Sequence, residues 1–276
     1  MSPQPHALVL LAAGSNRDQE AAQALELAGA QAEIVPLAEL TSGRISLASY
    51  QMLVVPGGFS YADALGAGKL LALDFDTALA NEMRAFVSSG KPVLGVCNGF
   101  QALLKAGLLG GEKWEMRGER PAAASLTSHL SPITSTLTFN NDGHFECRWV
   151  SLAPRSRLCV WTRGLSENIY CPVAHGEGNF AAADAASLAA LEANDQVALV
   201  YVQADGTPAR GGYPANPNGS VADIAGICNP AGNVLGLMPH PENHLYPFQH
   251  PRWSRGERGG LGLNLFEQGV YYAAQL

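Results

Sequence analysis

A chain of 276 residues, 47% hydrophobic and 15% charged, can bury one large core or two small ones, and no apolar run approaches the roughly 18 residues that a membrane span needs. A formal net charge of −7, with no cluster of lysine and arginine before residue 252, makes nucleic acid a poor partner. The five cysteines, Cys97, Cys147, Cys159, Cys171 and Cys228, are odd in number and hold no Cys-x-x-Cys pair, which argues against a disulfide framework and a zinc site and suits a reducing cytosol.

Residues 6–13 are short and apolar and predict a buried strand; no basic region or cleavage site accompanies them, so a secretory signal is not expected. Gly14-Ser15-Asn16 turns the chain, and residues 18–28 read as a helix that Gly29 ends. Residues 32–35 predict a second strand and residues 51–55 a third, closed by Pro56-Gly57-Gly58. A helix is expected over 76–88, ending at Gly90, and a fourth strand over 93–96. Strands that alternate with helices predict βαβ units, a parallel sheet and right-handed crossovers. Ligands of such sheets sit beyond the carboxyl ends of the strands, and both Gly57-Gly58 and Cys97 fall at such ends.

The fourth strand runs through Gly95-x-Cys97-x-Gly99 into a helical pattern of Phe100, Leu103, Leu104 and Leu108 that stops near Gly110-Gly111. This is the spacing of a nucleophile elbow with cysteine in place of serine. The glycines permit a sharp turn and close backbone approach. The turn places the Cys97 sulfur at a helix N-terminus, where unpaired N–H groups and the macrodipole favour a thiolate. The N–H of Asn98 is there to stabilise an oxyanion. Gly58 follows a strand expected beside the elbow strand, so its N–H can supply a second donor, although a glycine pair after a strand also serves as a plain turn.

The second half has a different texture. Residues 137–139, 145–152, 158–161 and 170–174 are short, rich in β-branched and aromatic residues and separated by turn signals, so they predict antiparallel strands and hairpins. Residues 185–193 read as a helix and 197–203 as a strand; the Gly-, Pro- and Asn-rich stretch 205–220 reads as a loop. Residues 224–228 and 234–238 predict a hairpin across 229–233, and 261–273 a closing helix. With no linker evident, residues 1–276 are expected to form one α/β domain: a mostly parallel central sheet flanked by helices, with an antiparallel extension in the second half.

Met238-Pro239-His240-Pro241-Glu242 carries the second chemical signal. In an extended segment His240 and Glu242 face one side, stiffened by the flanking prolines. A carboxylate on one imidazole nitrogen fixes the tautomer and supports the cation, leaving the other nitrogen to take the proton of Cys97. His175-Gly176-Glu177-Gly178 is read as a glycine loop bordering the pocket; as a metal ligand pair His175 and Glu177 are weak, and no metal is expected.

Six ordered motifs go further: Gly-Ser-Asn-x-Asp from Gly14, PGGFSYAD from Pro56, KPVLGVCNGFQ from Lys91, PVAHGEGNF from Pro172, NGSVADIAGICN from Asn218 and GNVLGLMPHPE from Gly232. Together they resemble the glutaminase subunits of phosphoribosylformylglycinamidine synthase, a branch of the class I, triad-type glutamine amidotransferases. The resemblance runs from about residue 7 to the end of the sequence. It implies Cys97 as nucleophile, His240 as base and Glu242 as its orienter, Gly58 and Asn98 as oxyanion donors, and Gln101 as a glutamine contact. It also implies a cytoplasmic chain without a cofactor of its own. Its ammonia would pass to a large synthase subunit that uses ATP and magnesium, beside a small third subunit. The chain departs from the family where Ala62-Asp63-Ala64-Leu65-Gly66 stands for Gly-Asp-x-x-Arg, along 106–135, and after the triad over 243–260. An amidotransferase or cysteine hydrolase serving another acceptor, or a non-catalytic regulatory subunit, would share the fold.

Overall fold

The structure is a computed structural model and describes residues 4–110 and 134–276. The glycine stop at Gly111 and most of the irregular stretch 106–135 lie outside the described residues.

Five strands of the first half and the end of the chain pair in parallel: β1 (His6–Leu11), β2 (Gln31–Pro36), β3 (Met52–Val55), β4 (Val93–Val96) and β11 (Val234–Leu237). Between β4 and β11 in sequence come β5 (Ser135–Thr138), β6 (Glu146–Pro154), β7 (Ile169–His175), β8 (Asn179–Ala182), β9 (Val197–Val202) and β10 (Ile224–Cys228). The large sheet is ordered β2-β1-β3-β4-β11-β10-β9-β6-β7, and β5 pairs with β8 in a separate ribbon. From β10 onward every pairing in the large sheet is antiparallel, so the expected extension continues the same sheet.

Burial explains the division. β3, β4 and β11 are buried at every position, as parallel strands covered on both faces must be. β7 instead alternates buried and half-buried residues, the mark of a strand with one wetter face. The helices are α1 (Asp18–Leu27), α2 (Leu37–Thr41), α3 (Lys69–Asp76), α4 (Ala80–Ser88), α5 (Asn98–Lys105), α6 (Ala185–Ala193) and α7 (Leu263–Ala273). α1 buries Ala21, Ala22, Ala24 and Leu25 and opens with Asp18 and Glu20, acids that suit the positive end of its dipole. No helix among the described residues is long and apolar enough to cross a membrane.

Three expectations are corrected. The helix expected over 76–88 shortens to α4, over 80–88, and a helix not foreseen, α3, precedes it and ends at Asp76. Thr77 Oγ1 donates to the Leu73 carbonyl at 2.6 Å, and the chain at Thr77 leaves helical dihedrals. Residues 158–161 are turns rather than a strand. The N–H groups of Leu158 and Cys159 donate to Ser156 Oγ, and that of Leu158 also to Asp195 Oδ2, so side chains take donors that a ladder would have used. Cys159, Val160 and Trp161 are still buried, which is the source of their strand-like composition. Finally, β8 arises from the Gly-rich 175–180 motif, where glycines masked its strand character.

The consequence for function is the neighbourhood of three strand ends. β4 lies between β3 and β11, in register Val55 with Gly95 and Val96 with Leu237. Gly57-Gly58, Cys97 and His240 therefore leave adjacent strands at the same edge.

Candidate active site

Cys97 is the N-cap of α5, at φ 50° and ψ −105°, a conformation that side chains disfavour. Its neighbours make the turn possible. A Cβ on Gly99 would lie 2.0 Å from the Val55 carbonyl oxygen, and one on Gly95 would meet Leu103 at 2.5 Å and the Gly99 backbone at 2.9 Å. Both glycines of the elbow are thus required by the close approach of α5 to β3 and β4. The Cys97 N–H donates to the Leu237 carbonyl at 2.8 Å, continuing the β4–β11 ladder. The Cys97 sulfur lies 3.7 Å from the Ala174 carbonyl oxygen on β7.

His240 follows β11 and is held by its N–H, which donates to the Pro172 carbonyl at 2.8 Å. Residues Pro241–Asn243 form a single 3-10 turn with His240 as its N-cap. The segment is therefore not extended as its sequence suggested; Pro241 at the first helical position starts the turn. The turn still brings the pair together, with His240 Nδ1 2.6 Å from Glu242 Oε1 and both residues at most 3% exposed. Burial opposes a charge on His240, but Glu242 and then Cys97 outweigh it and push the imidazole up to about 10. His240 accordingly carries its proton through neutral pH. Its Nε2 is buried with no hydrogen-bond partner among the described residues.

Gly57 shows how close Cys97 and His240 are. A Cβ placed there would lie 2.7 Å from His240 Cε1 and 3.4 Å from Cys97 Cβ. Gly58, at φ 142°, is pressed against the 14–16 turn, where a Cβ would meet the Gly14 oxygen at 2.7 Å and the Asn16 nitrogen at 2.8 Å. The N–H of Asn98 belongs to the first turn of α5 and has no intrahelical acceptor. The side chain of Gln101 is bonded at both ends: its Oε1 accepts from Asn98 Nδ2 at 3.1 Å and its Nε2 donates to the Glu177 carbonyl at 2.7 Å. Gln101 thereby ties α5 to the glycine loop 175–178.

A sequence model of the CobB/CobQ-like glutamine amidotransferase domain matches residues 4–273. The chain belongs to that family. Among its relatives, the phosphoribosylformylglycinamidine synthase subunit PurQ of Treponema denticola is 49% identical, over 97% of this chain and 98% of the relative. The subunit of the same name from Dehalococcoides mccartyi is 40% identical, over 98% of each chain. A solved structure, described as that of PurLQS from Thermotoga maritima, superposes with a TM-score of 0.71 at 30% identity, covering 98% of this chain and 99% of its own.

In this glutamine amidotransferase the motifs around His175 and Asn218 brace each other beside the Cys97 turn. His175 is buried between Asn140 Oδ1, 3.1 Å from its Nδ1, and Asn218 Nδ2, 3.5 Å from its Nε2. Burial first, and then the charge of His240, lowers it to about 4, so it stays neutral. A Cβ on Gly178 would fall 2.3 Å from the His175 ring, which explains that glycine. Asn140 Oδ1 also accepts from the Gly178 N–H at 3.1 Å, and Asn218 Nδ2 donates to the Gly178 carbonyl at 2.8 Å. Ser220 Oγ donates to Asn218 Oδ1 at 2.7 Å and accepts from the Phe180 N–H at 3.0 Å. Sequence reasoning assigned no task to Asn140, Asn218 or Ser220. The signal was present in the Asn-Gly-Ser run at Asn218, but isolated polar residues have no periodicity to reveal what they brace.

Proposed function

We propose that this chain is the glutaminase subunit of a phosphoribosylformylglycinamidine synthase, with residues 1–276 acting as one amidotransferase unit in the cytoplasm. The observation that carries the reading is the buried His240–Glu242 pair beside Cys97, held at the ends of neighbouring strands. In this mechanism the Cys97 thiolate attacks the side-chain carbonyl carbon of glutamine, and the carbonyl pair moves onto oxygen. The N–H groups of Gly58 and Asn98 receive the oxyanion. His240 delivers its proton to the leaving nitrogen, ammonia departs, and a glutamyl thioester remains on Cys97. Water then attacks the thioester, giving up a proton to His240, and glutamate is released with the thiolate restored. Glu242 orients the ring and stabilises its cation throughout. Gln101 contacts the glutamine substrate from α5, its two bonds within the protein leaving one amide N–H and one oxygen lone pair for that role.

The ammonia passes to a large synthase subunit that holds ATP and magnesium and converts formylglycinamide ribonucleotide to the amidine, with a small third subunit completing the assembly. The sequence of this chain has no Gly-x-x-x-x-Gly-Lys-[Ser/Thr] run for nucleotide phosphates, in keeping with that division. The test is a complex assembled with Cys97→Ala. It is expected to lose amidine formation with glutamine, to retain it with high ammonium salt at alkaline pH, and to keep its ATP requirement. Failure of ammonium to support a folded, assembled complex overturns the division of labour.

A further inference from the structure

Residues 56–68 carry Gly58 and then pass through three successive left-handed residues, Tyr61, Ala62 and Asp63, at φ 54°, 54° and 51°. None is glycine, so the loop sits in a conformation its own residues disfavour and is held by contacts from outside. Those contacts come from two sides: the 13–16 turn takes the N–H groups of Phe59, at 2.9 Å to the Gly14 carbonyl, and Tyr61, at 2.7 Å to the Ala13 carbonyl, and the elbow helix takes the rest of the loop. Asn98 is 3% exposed and uses both ends of its amide: Oδ1 accepts from the Ser60 N–H at 3.1 Å, and Nδ2 donates to Asp63 Oδ1 at 3.0 Å. Asp63 Oδ1 also accepts from the Gly68 N–H at 3.3 Å, closing the loop on itself. At the far end of the helix, Lys105 Nζ donates to the Ala67 carbonyl at 2.5 Å. Tyr61 is hooked separately, its hydroxyl donating to Asp74 Oδ2 at 2.7 Å.

We propose that Asp63, acting through the side chain of Asn98, is a positioning residue that clamps the 56–68 loop to the elbow helix and so fixes the Gly58 N–H relative to Cys97. The inference rests on the reading of Gly58 as an oxyanion donor. The two donors of that site lie on different elements, Gly58 after β3 and Asn98 on α5. A covalent turn fixes Asn98 to the nucleophile, but nothing covalent fixes Gly58 to it. The amide of Asn98 spans that gap directly, and Asp63 keeps the amide oriented so that its oxygen faces Ser60. Without the Asp63 acceptor, Asn98 Nδ2 keeps only Gln101 Oε1, at 3.1 Å on its own helix, and the hold of residue 98 on the loop falls to the Ser60 bond alone.

Asp63→Gly tests the clamp, since glycine adopts φ 51° freely and removes only the acceptor. The variant is assayed in the assembled enzyme for glutaminase kcat and KM, and for the rate at which iodoacetamide alkylates Cys97. Alkylation displaces iodide at a methylene and develops no oxyanion, so it reports the nucleophile alone. D63G is expected to lose at least about tenfold in kcat, a fraction of the 10²- to 10³-fold that deletion of a donor costs, with KM and alkylation rate near those of the parent. D63N, which retains a side-chain carbonyl at the same place, should recover most of the lost rate. D63G combined with Asn98→Ala should lose no more than Asn98→Ala alone, because both break one connection. An unchanged kcat in D63G, or a parallel fall in kcat and alkylation, overturns the clamp. Hydrolysis by Cys97→Ala would overturn the underlying active-site reading, whereas full activity in D63G beside an inactive Cys97→Ala overturns the clamp alone.

Discussion

Cys97 and His240 reach their positions by different local means, and the sequence disclosed them unequally. The left-handed backbone of Cys97 is written in the glycines on either side, because only residues without a Cβ let α5 approach β3 so closely. The His240–Glu242 contact was legible as a pair but not as a 3-10 turn, since the spacing of two residues fits both geometries when the ring and carboxylate are free to bend toward each other. Asn140 and Asn218 were not legible, because their partners lie far away in sequence. At this scale Cys97→Ala should abolish glutaminase turnover. His240→Ala should cost about 10²- to 10⁴-fold in kcat, more than Glu242→Ala, since losing the proton carrier removes transfer and losing its orienter weakens it. Equal, full activity in the two variants would exclude the pair. The charge of His240 gives a separate test. Its folded value is pushed up to about 10, above the ordinary value of 6.5. The stabilisation it brings is therefore complete below about pH 6.5 and is lost as pH rises toward 10. Glu242→Gln should move the His240 titration, followed by NMR of the ring, to lower pH and shrink that alkaline loss. A ring that titrates identically in both proteins would show that Glu242 does not sustain the cation.

At the scale of elements, the site is assembled from the carboxyl ends of β3, β4 and β11, and the spacer between the first and the other two is a missing side chain. Gly57 is not among the positive-φ glycines, so alanine meets no backbone objection there. Its Cβ would instead enter the space 2.7 Å from His240 and 3.4 Å from Cys97. Gly57→Ala is thus expected to displace the imidazole and lower kcat by about 10²-fold, the usual consequence of roughly 1 Å of misplacement, while leaving the thermal midpoint nearly unchanged. Undiminished kcat would show that the ring has room to move. The elements were legible where period and punctuation agreed, as in β1, α1, β4 and the β10–β11 hairpin. They were misread where polar side chains intercepted backbone groups, at Thr77 and at Ser156 with Asp195, because composition reports burial and not which acceptor an N–H finds.

At the scale of the molecule, the alternation of strand and helix in the first half was enough to foresee a parallel sheet, but strand order was not. Nothing local says that β11 pairs with β4 on one side and β10 on the other, or that β6, β7 and β9 extend the same sheet. Those pairings join residues far apart in sequence and are decided by which edge remains open. Within the sheet, the Val93 N–H bonds the Asn233 carbonyl and the Cys97 N–H the Leu237 carbonyl, each at 2.8 Å. These amides should exchange with solvent only through global opening, and glutaminase activity should vanish with them along a denaturant series. Activity lost well before their exchange would place the weak point elsewhere. The order of synthesis adds a final consequence. Last of the described strands to leave the ribosome, β11 belongs in the middle of the sheet, between β4 and β10. Until it arrives, β4 waits with an open edge, the kind that invites wrong partners, and the cysteine at its tip has no imidazole beside it. The neighbourhood of Cys97 and His240 can therefore form only after β11 has been made, and a chain cut before it would leave Cys97 without this partner.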